Sequence, residues 1–175
     1  MAVPTKRRDR GASLVEFALL APLLFLLLIG TITGGLTLSR QNAVNNAVRE
    51  ASRFGAVLLD FGDAESNLDD LYGQVVAAAT DDLDAGVPGR QVCVALIDAD
   101  DTWDYQLYGA TDTATTVEDA DLATVPSGCS AGFDATVGDG TQRVWIRAKR
   151  ESDIEAILYS RTVTLEAQSL SRFER

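Results

Sequence analysis

The strongest pattern in the chain is a run of apolar residues close to its N-terminus. From Leu14 to Leu38 the only charged residue is Glu16. As an α-helix this run would span about 37 Å, which exceeds the roughly 30 Å hydrocarbon core of a bilayer. Pro22 lies inside the run, and membrane helices tolerate proline better than helices in water do. The pattern predicts a membrane-spanning helix over 12–39 rather than a removed secretory signal, whose apolar region is shorter.

An amphipathic helical pattern follows the apolar run. Apolar residues recur at helical spacing while polar side chains occupy the other face; the apolar positions are Val44, Ala47, Val48, Ala51 and Leu58. The membrane helix is therefore predicted to continue over 40–59 as one rod that can end near Gly55. A second amphipathic helix is predicted over Ala64–Leu83, before a stretch rich in glycine and proline.

The rest of the chain changes to the composition and two-residue period of β-strands. Strands are predicted over 91–98, 103–109, 141–150 and 161–173. Residues 109–140, rich in Thr, Ala, Asp and Gly, predict a long loop, and 151–160 predict a helical turn or a loop. The predicted fold class is α+β: a long N-terminal helix packed on a small head, over 60–175, with a second helix and an antiparallel sheet.

The distribution of charge gives this architecture an orientation. The segment 1–11 is basic, with Lys6, Arg7, Arg8 and Arg10 against Asp9. Positively charged flanks stay in the cytoplasm, so the head is predicted to lie outside the cytoplasmic (inner) membrane. Net charge is −11, and removing 1–11 takes away four positive charges and one negative charge to leave −14. Such a surface repels nucleic acid, so nucleic acid is not an expected partner. Membrane lipid is an expected partner because of the predicted membrane helix.

Histidine is absent, and the chain has two cysteines. Without histidine, the classical serine and cysteine triads and histidine-containing zinc sites are excluded. We therefore predict no enzyme activity, no cofactor and no small-molecule substrate. In an exported head, Cys93 and Cys129 would form a disulfide that closes a loop of roughly 36 residues and contributes about 4 kcal/mol. The alternative is two small buried apolar residues.

Three groups of residues in the head are candidate binding features. Closely spaced carboxylates suit Ca²⁺, but no EF-hand glycine or closing glutamate is present and an acidic hairpin turn is the commoner explanation; they are Asp98, Asp100, Asp101 and Asp104. Aromatic residues would form an exposed binding face or pack against the sheet; they are Trp103, Tyr105, Tyr108 and Trp145. Basic residues would dock an acidic partner or face solvent; they are Arg143, Arg147, Lys149 and Arg150.

The N-terminal motif resembles the class III signal of type IV pilins and pseudopilins. A basic leader ends in Gly11, Glu16 stands five places beyond it, and the aromatic Phe17 follows. In that class a prepilin peptidase cuts directly after the glycine, on the cytoplasmic side, and the apolar helix remains in the mature subunit. The resemblance therefore implies cleavage between Gly11 and Ala12.

More narrowly, residues 7–57 resemble the TadE-like family, minor pseudopilins of the tight-adherence (Flp) type IV pilus system. The early proline of the family's membrane helix matches Pro22, and its amphipathic continuation matches "NNAVREASRFGA". The sister TadF-like group shares the signal. The resemblance implies a structural subunit that helps to initiate, anchor or tip a pilus for surface adhesion. It also implies as partners a prepilin peptidase, the major pilin, other minor pseudopilins and the inner-membrane assembly platform.

Both the resemblance and physical chemistry indicate a role for Glu16. A lone carboxylate in lipid costs several kcal/mol, and less near the interface. In filaments of this class the glutamate meets the amino terminus of a neighbouring subunit, here the α-amino group of Ala12, and such a pair would favour one register between helices. Two alternatives are open: Glu16 snorkels at the interface, or the helix merely anchors an extracytoplasmic ligand-binding or enzymatic domain.

Overall fold

The computed structural model describes residues 9–57, 63–79, 81–134, 140–156 and 159–173. Within these ranges the elements, in chain order, are α1 (Asp9–Gly55), α2 (Ala64–Ala79), β1 (Gln91–Ile97), β2 (Thr102–Tyr108), β3 (Ala114–Asp121), α3 (Ser127–Ser130), β4 (Arg143–Ala156) and β5 (Tyr159–Arg172). The predicted α+β class, with a long N-terminal helix, a second helix and an antiparallel sheet, is confirmed.

Helix α1 is a continuous helix of 47 residues that contains Pro22 in its interior. Its two halves have different surroundings. Most of the large apolar side chains up to Leu38 are exposed, whereas Val44, Ala47, Val48 and Ala51 are buried in the head. The same helix is thus an exposed apolar rod in its first half and a core element of the head in its second half.

All five strands form one antiparallel sheet in the order β3-β2-β1-β4-β5. The central strand β1 pairs with β2 on one side and with β4 on the other. Alternate side chains of a strand point to opposite faces, and β1 is buried on both faces beyond Gln91. The sheet therefore separates two hydrophobic clusters.

The first cluster lies between the sheet and the helices α1 and α2, and it includes Leu68, Leu71, Val94 and Ile146. The second cluster lies on the opposite face and includes Ile97, Trp103, Trp145 and both cysteines. The Phe133 ring packs edge-on against Trp103 and Trp145, with centroid distances of 4.8 and 5.5 Å. The segment that follows β3 thereby covers the face of the sheet that the helices leave open.

The predicted loop over 109–140 is wrong, because it contains strand β3 and the short helix α3. Strand β3 lies at the edge of the sheet, and most of its side chains are exposed. An edge strand that buries little needs few apolar residues, so its sequence resembles that of a loop. Helix α2 also ends earlier than predicted, at Ala79 rather than Leu83, although Leu83 is buried in the first cluster.

The helical turn or loop predicted over 151–160 is also wrong. Strands β4 and β5 have 14 residues each, and they pair through to Ala156↔Tyr159. Exposed Glu151 and Asp153 alternate with buried Ser152 and half-buried Ile154. The polar residues on one face hid the strand period, and residues 157–158 lie outside the described part of the chain.

Candidate membrane anchor and assembly site

The first half of α1 is the largest exposed apolar feature of the described chain. Among the described residues, one helix, Ser13–Gly55, is long and apolar enough to cross a membrane. None of the residues in its most apolar stretch is buried inside the protein. Leu14 is 70% exposed, Leu19 74% and Leu38 66%. An apolar surface of this length in water favours association with lipid or with other helices. The helix is therefore a candidate membrane anchor.

The residues predicted to act in processing and assembly all lie on this helix. Gly11 and Ala12 belong to its backbone, while Glu16, Phe17 and Pro22 are exposed along it. Residues four apart share one face of a helix, separated by a rise of roughly 6 Å. Glu16 thus stands on the same face as Ala12 and projects outward, which leaves its carboxylate available to a second molecule.

Polar contacts fix the helix to the head where the exposed segment ends. The Gln41 side-chain amide donates to the Glu166 backbone oxygen at 2.8 Å, and an Arg40 guanidinium nitrogen lies 3.0 Å from the Ser152 hydroxyl. Nearer the C-terminus of α1, the Ser52 hydroxyl lies 2.8 Å from the Ser169 hydroxyl. Together with the apolar contacts of α1, these bonds hold the rod and the head in one orientation.

Cys93 and Cys129 form a disulfide whose Cα atoms lie 5.3 Å apart, and it closes a separation of 36 residues. Both residues are fully buried in the second cluster. The Trp145 indole nitrogen donates to the Cys129 backbone oxygen at 2.6 Å. The disulfide therefore holds α3, which is part of the segment that covers the sheet, against β1.

The acidic turn between β1 and β2 directs its carboxylates to different partners within the protein. Asp98 accepts from Gln142 at 2.7 Å, Asp100 from the Thr102 hydroxyl at 2.7 Å, and Asp104 from the Asp119 amide at 2.9 Å; Asp101 pairs with Arg143. No group of three or more acidic, cysteine or histidine side chains in the described ranges could hold a metal ion. The turn is an acidic hairpin, and the described residues give the calcium interpretation no support.

Two carboxyl groups of this turn have shifted pKa values. Burial, together with the nearby charges of Asp119, Asp98 and Asp100, raises the pKa of Asp104. Hydrogen bonds from Thr102 lower the pKa of Asp100. The two shifts have opposite signs because Asp104 is half-buried against β3 while Asp100 is exposed at the tip of the turn.

The aromatic residues do not form an exposed binding face. Trp103, Tyr105, Tyr108 and Trp145 are all buried, between 0% and 5% exposed. Three of them belong to the second cluster, and Tyr108 belongs to the first. The alternative interpretation, that they pack against the sheet, is the one the structure shows.

The predicted basic residues lie on strand β4. They form neither a docking surface for an acidic partner nor a solvated face, because the three arginines are buried. Arg147 bonds Glu166 at 2.8 Å, Arg150 bonds Asp82 at 2.6 Å, and Arg143 pairs with Asp101. Only Lys149 of the four predicted basic residues is half-exposed. Both predictions failed because long arginine side chains at buried positions can be neutralised by acidic residues that are distant in sequence.

Sequence reasoning also missed a polar cluster around Arg90, which lies beside α2. The Arg90 side chain is fully buried and donates to the Leu83 oxygen at 2.8 Å, the Gly109 oxygen at 2.9 Å and Asp112 at 2.9 Å. Arg90 is the only basic residue between Arg53 and Arg143. That isolation within an acidic part of the chain is the signal that could have identified it.

Two tyrosines complete the Arg90 cluster. The Tyr72 and Tyr108 rings stack with centroids 3.6 Å apart. Burial, and then the hydrogen bond to Asp69, raises the pKa of Tyr108. Hydrogen bonds from Tyr72 and then Arg90 lower the pKa of Asp112. These contacts join α2 to β2, and every member is engaged in holding the head together.

Taken together, the fold and the anchor define a protein whose exposed apolar helix continues into the core of an α+β head. Residues 11–53 match the model of a family described as TadE-like protein, which confirms the resemblance seen in the sequence. TadE-like proteins are a structural family associated with the Tad pilus. The match covers the anchor and its continuation. A comparison with curated proteins and one with solved structures found no match to the chain.

Proposed function

We propose that the chain is a minor pilin-like structural subunit of a tight-adherence (Flp) pilus. It lies in the cytoplasmic membrane with its N-terminus inside and its head outside, and a prepilin peptidase cleaves it between Gly11 and Ala12. The observation that carries the proposal is the continuity of α1 from an exposed apolar half to a half buried in the head. A subunit built in this way can leave the bilayer and enter a filament without rearranging its head.

In this function Glu16 selects the position of neighbouring helices. Cleavage gives Ala12 a positive α-amino group, and the Glu16 carboxylate of another subunit neutralises it in a medium of low dielectric. The exposed Phe17 and the apolar side chains that follow then pack against neighbouring helices. The expected partners are the prepilin peptidase, the major pilin, other minor pseudopilins and the inner-membrane assembly platform.

The alternative is a membrane-anchored ligand-binding or enzymatic domain in which the helix only attaches the head. That function needs side chains that converge on an accessible site. In the described head, the aromatic and arginine side chains considered as binding candidates are engaged in packing and ion pairs instead. The pilin-like function therefore agrees better with the geometry.

The test is the N-terminal residue of the mature protein, measured by mass spectrometry of membranes with and without the prepilin peptidase. We expect a start at Ala12 that depends on the peptidase. Gly11→Leu should block processing, whereas Gly30→Leu should leave it intact, because Gly30 has open space around it on the exposed helix. An intact N-terminus would make α1 an ordinary anchor, and a start beyond Ser39 would make it a removed signal. Either result would contradict the proposal.

A further inference from the structure

The hairpin of β4 and β5 is longer than the sheet to which it belongs. Pairing between β1 and β4 stops at Gln91↔Lys149, whereas β4 and β5 continue to pair through Ala156↔Tyr159. The seven residues of β4 from 150 to 156 therefore project past the rest of the sheet. At about 3.3 Å per residue this projection is roughly 23 Å long.

The contacts of the hairpin with α1 show the direction in which it projects. Ser52 of α1 lies against Ser169 and Ser171, Gln41 bonds Glu166, and Arg40 bonds Ser152. The contacts that lie nearer the N-terminus of α1 also lie nearer the turn of the hairpin. The projecting end therefore runs beside α1 toward its exposed apolar half.

The length of the projection gives its depth along α1. Ser152 lies beside Arg40, two residues after Leu38, the last large apolar residue of the exposed half. From Ser152 to Ala156 the strand advances roughly 13 Å, which equals about nine residues of α-helix. The end of the hairpin therefore reaches the level of the last turns of the apolar segment.

The burial of α1 along its last apolar turns agrees with this placement. Ile29, Thr33 and Thr37 are half-buried, whereas most of the residues between them are exposed. They share one helix face with Gln41, which bonds β5. These half-buried positions therefore extend the line of Gln41 along α1 toward its apolar segment.

We propose that the end of the β4–β5 hairpin, formed by residues 153–156 and 159–162, enters the phospholipid headgroup layer of the outer leaflet. The proposal rests on the membrane anchor of the proposed function. A helix of about 20 residues from Leu14 fills the hydrocarbon core, and the headgroup layer adds about 5–7 Å beyond it. The turns of α1 beside Asp153 and Arg161 therefore lie in that layer, and Ala156 reaches its inner boundary.

The side chains of the hairpin end suit zwitterionic headgroups. Its exposed residues carry both signs of charge, Asp153 and Arg161, and two uncharged hydroxyl groups, Ser160 and Thr162. Mixed charge of this kind meets the phosphate and the amine of one lipid, and it gives no preference for anionic lipid. The membrane would then contact the head at two places, α1 and the hairpin, which would restrict tilting of the head.

The test measures the depth of single fluorescent labels on the full-length chain in phosphatidylcholine vesicles. Ser160→Cys places a label at the hairpin end, and Thr164→Cys is the matched control on the same face of β5, roughly 13 Å farther from the turn. Leu36→Cys reports insertion of the helix. Labelling under non-reducing conditions leaves the native disulfide intact. The quencher is phosphatidylcholine with a spin label on its headgroup.

We expect the headgroup quencher to reduce the fluorescence of the labels at 36 and 160 at least twofold more than that of the label at 164. Quenching at 36 without quenching at 160, or equal quenching at 160 and 164, would overturn the hairpin proposal and leave the anchor in place. Lack of quenching at 36 would overturn both. If the labelled Ser160→Cys variant is not quenched and the same variant without label forms an intermolecular disulfide, the hairpin end contacts a second copy of the chain, and the lipid contact is overturned.

Discussion

Gly55 closes α1 at the point where the helix meets the sheet. A Cβ atom at this position would lie 2.8 and 2.9 Å from the two Val144 methyl groups and 3.0 Å from a Leu71 methyl group. Carbon atoms that do not bond each other are not found this close, so no side chain fits without displacing β4 or α2. The absence of a side chain at Gly55 is what allows the end of α1 to approach the first cluster.

Gly55→Ala should therefore destabilise the head by about 1–3 kcal/mol, because the extra methyl group overpacks a tight contact. The measurement is urea unfolding of the full-length chain in detergent micelles, followed by tryptophan fluorescence, since Trp103 and Trp145 are both buried in the head.

Gly73→Ala is the matched control, because Gly73 lies within α2 and has open space around it. Alanine there should leave stability unchanged or raise it by about 0.5–1 kcal/mol. Equal losses in the two variants would show that steric crowding at Gly55 is not the cause.

The environment of some residues could be predicted from the sequence, and the environment of others could not. The sequence predicted the disulfide because two cysteines in a head that is predicted to be exported have few other roles. It did not predict the burial of Arg90 or Arg147, because their partners Asp112 and Glu166 become neighbours only in the folded sheet. Pairing of residues distant along the chain is information that local pattern does not contain.

Among the elements, α3 depends most on a single covalent bond. It has four residues, too few to be stable as an isolated helix, and the disulfide to Cys93 holds it against the sheet. The double variant Cys93→Ala, Cys129→Ala should lose about 4 kcal/mol of stability on the chain-entropy model.

The same urea unfolding experiment checks this loss, with and without a reductant. The reductant should lower the midpoint of the native chain toward that of the double variant and should leave the double variant unchanged. A double variant as stable as the oxidised native chain would refute a stabilising role for the disulfide.

Whole elements were predicted where their residues bury one clear face. Helix α2 and strand β1 carry periodic or continuous apolar residues, and both were identified. Strand β3 and the ends of β4 and β5 were missed because they are exposed at the margin of the sheet, where polar residues are tolerated. Their position follows from pairing with a neighbouring strand, which the sequence of one segment does not specify.

For the whole molecule, α1 connects the two parts of the predicted architecture. The apolar run, its amphipathic continuation and the motif around Gly11 and Glu16 were all visible in the sequence, and the family match covers this same region. The arrangement of the head was predicted only in class, because its central strand β1 pairs with β4 across the long segment that contains β2, β3 and α3. The proposed function therefore depends mainly on the helix, and Glu16 is the residue that tests it most directly.

Glu16→Gln keeps the size of the side chain and removes its charge. If Glu16 pairs with the α-amino group of a neighbouring subunit, losing one partner of a desolvated pair costs about 3 kcal/mol, which lowers subunit association on the order of a hundredfold. Pilus number, counted by electron microscopy, should collapse, while the amount of processed protein in the membrane stays near normal.

Glu50→Gln is the matched control, because Glu50 is an exposed glutamate on the same helix but beyond the apolar half. It should leave pilus number unchanged. Normal piliation in the Glu16→Gln strain would mean that Glu16 only snorkels at the interface, and loss of the protein from the membrane would mean that it acts in insertion. Only lost assembly with preserved processing assigns the carboxylate to contact between subunits, since the head, the anchor and the cleavage site are then all intact.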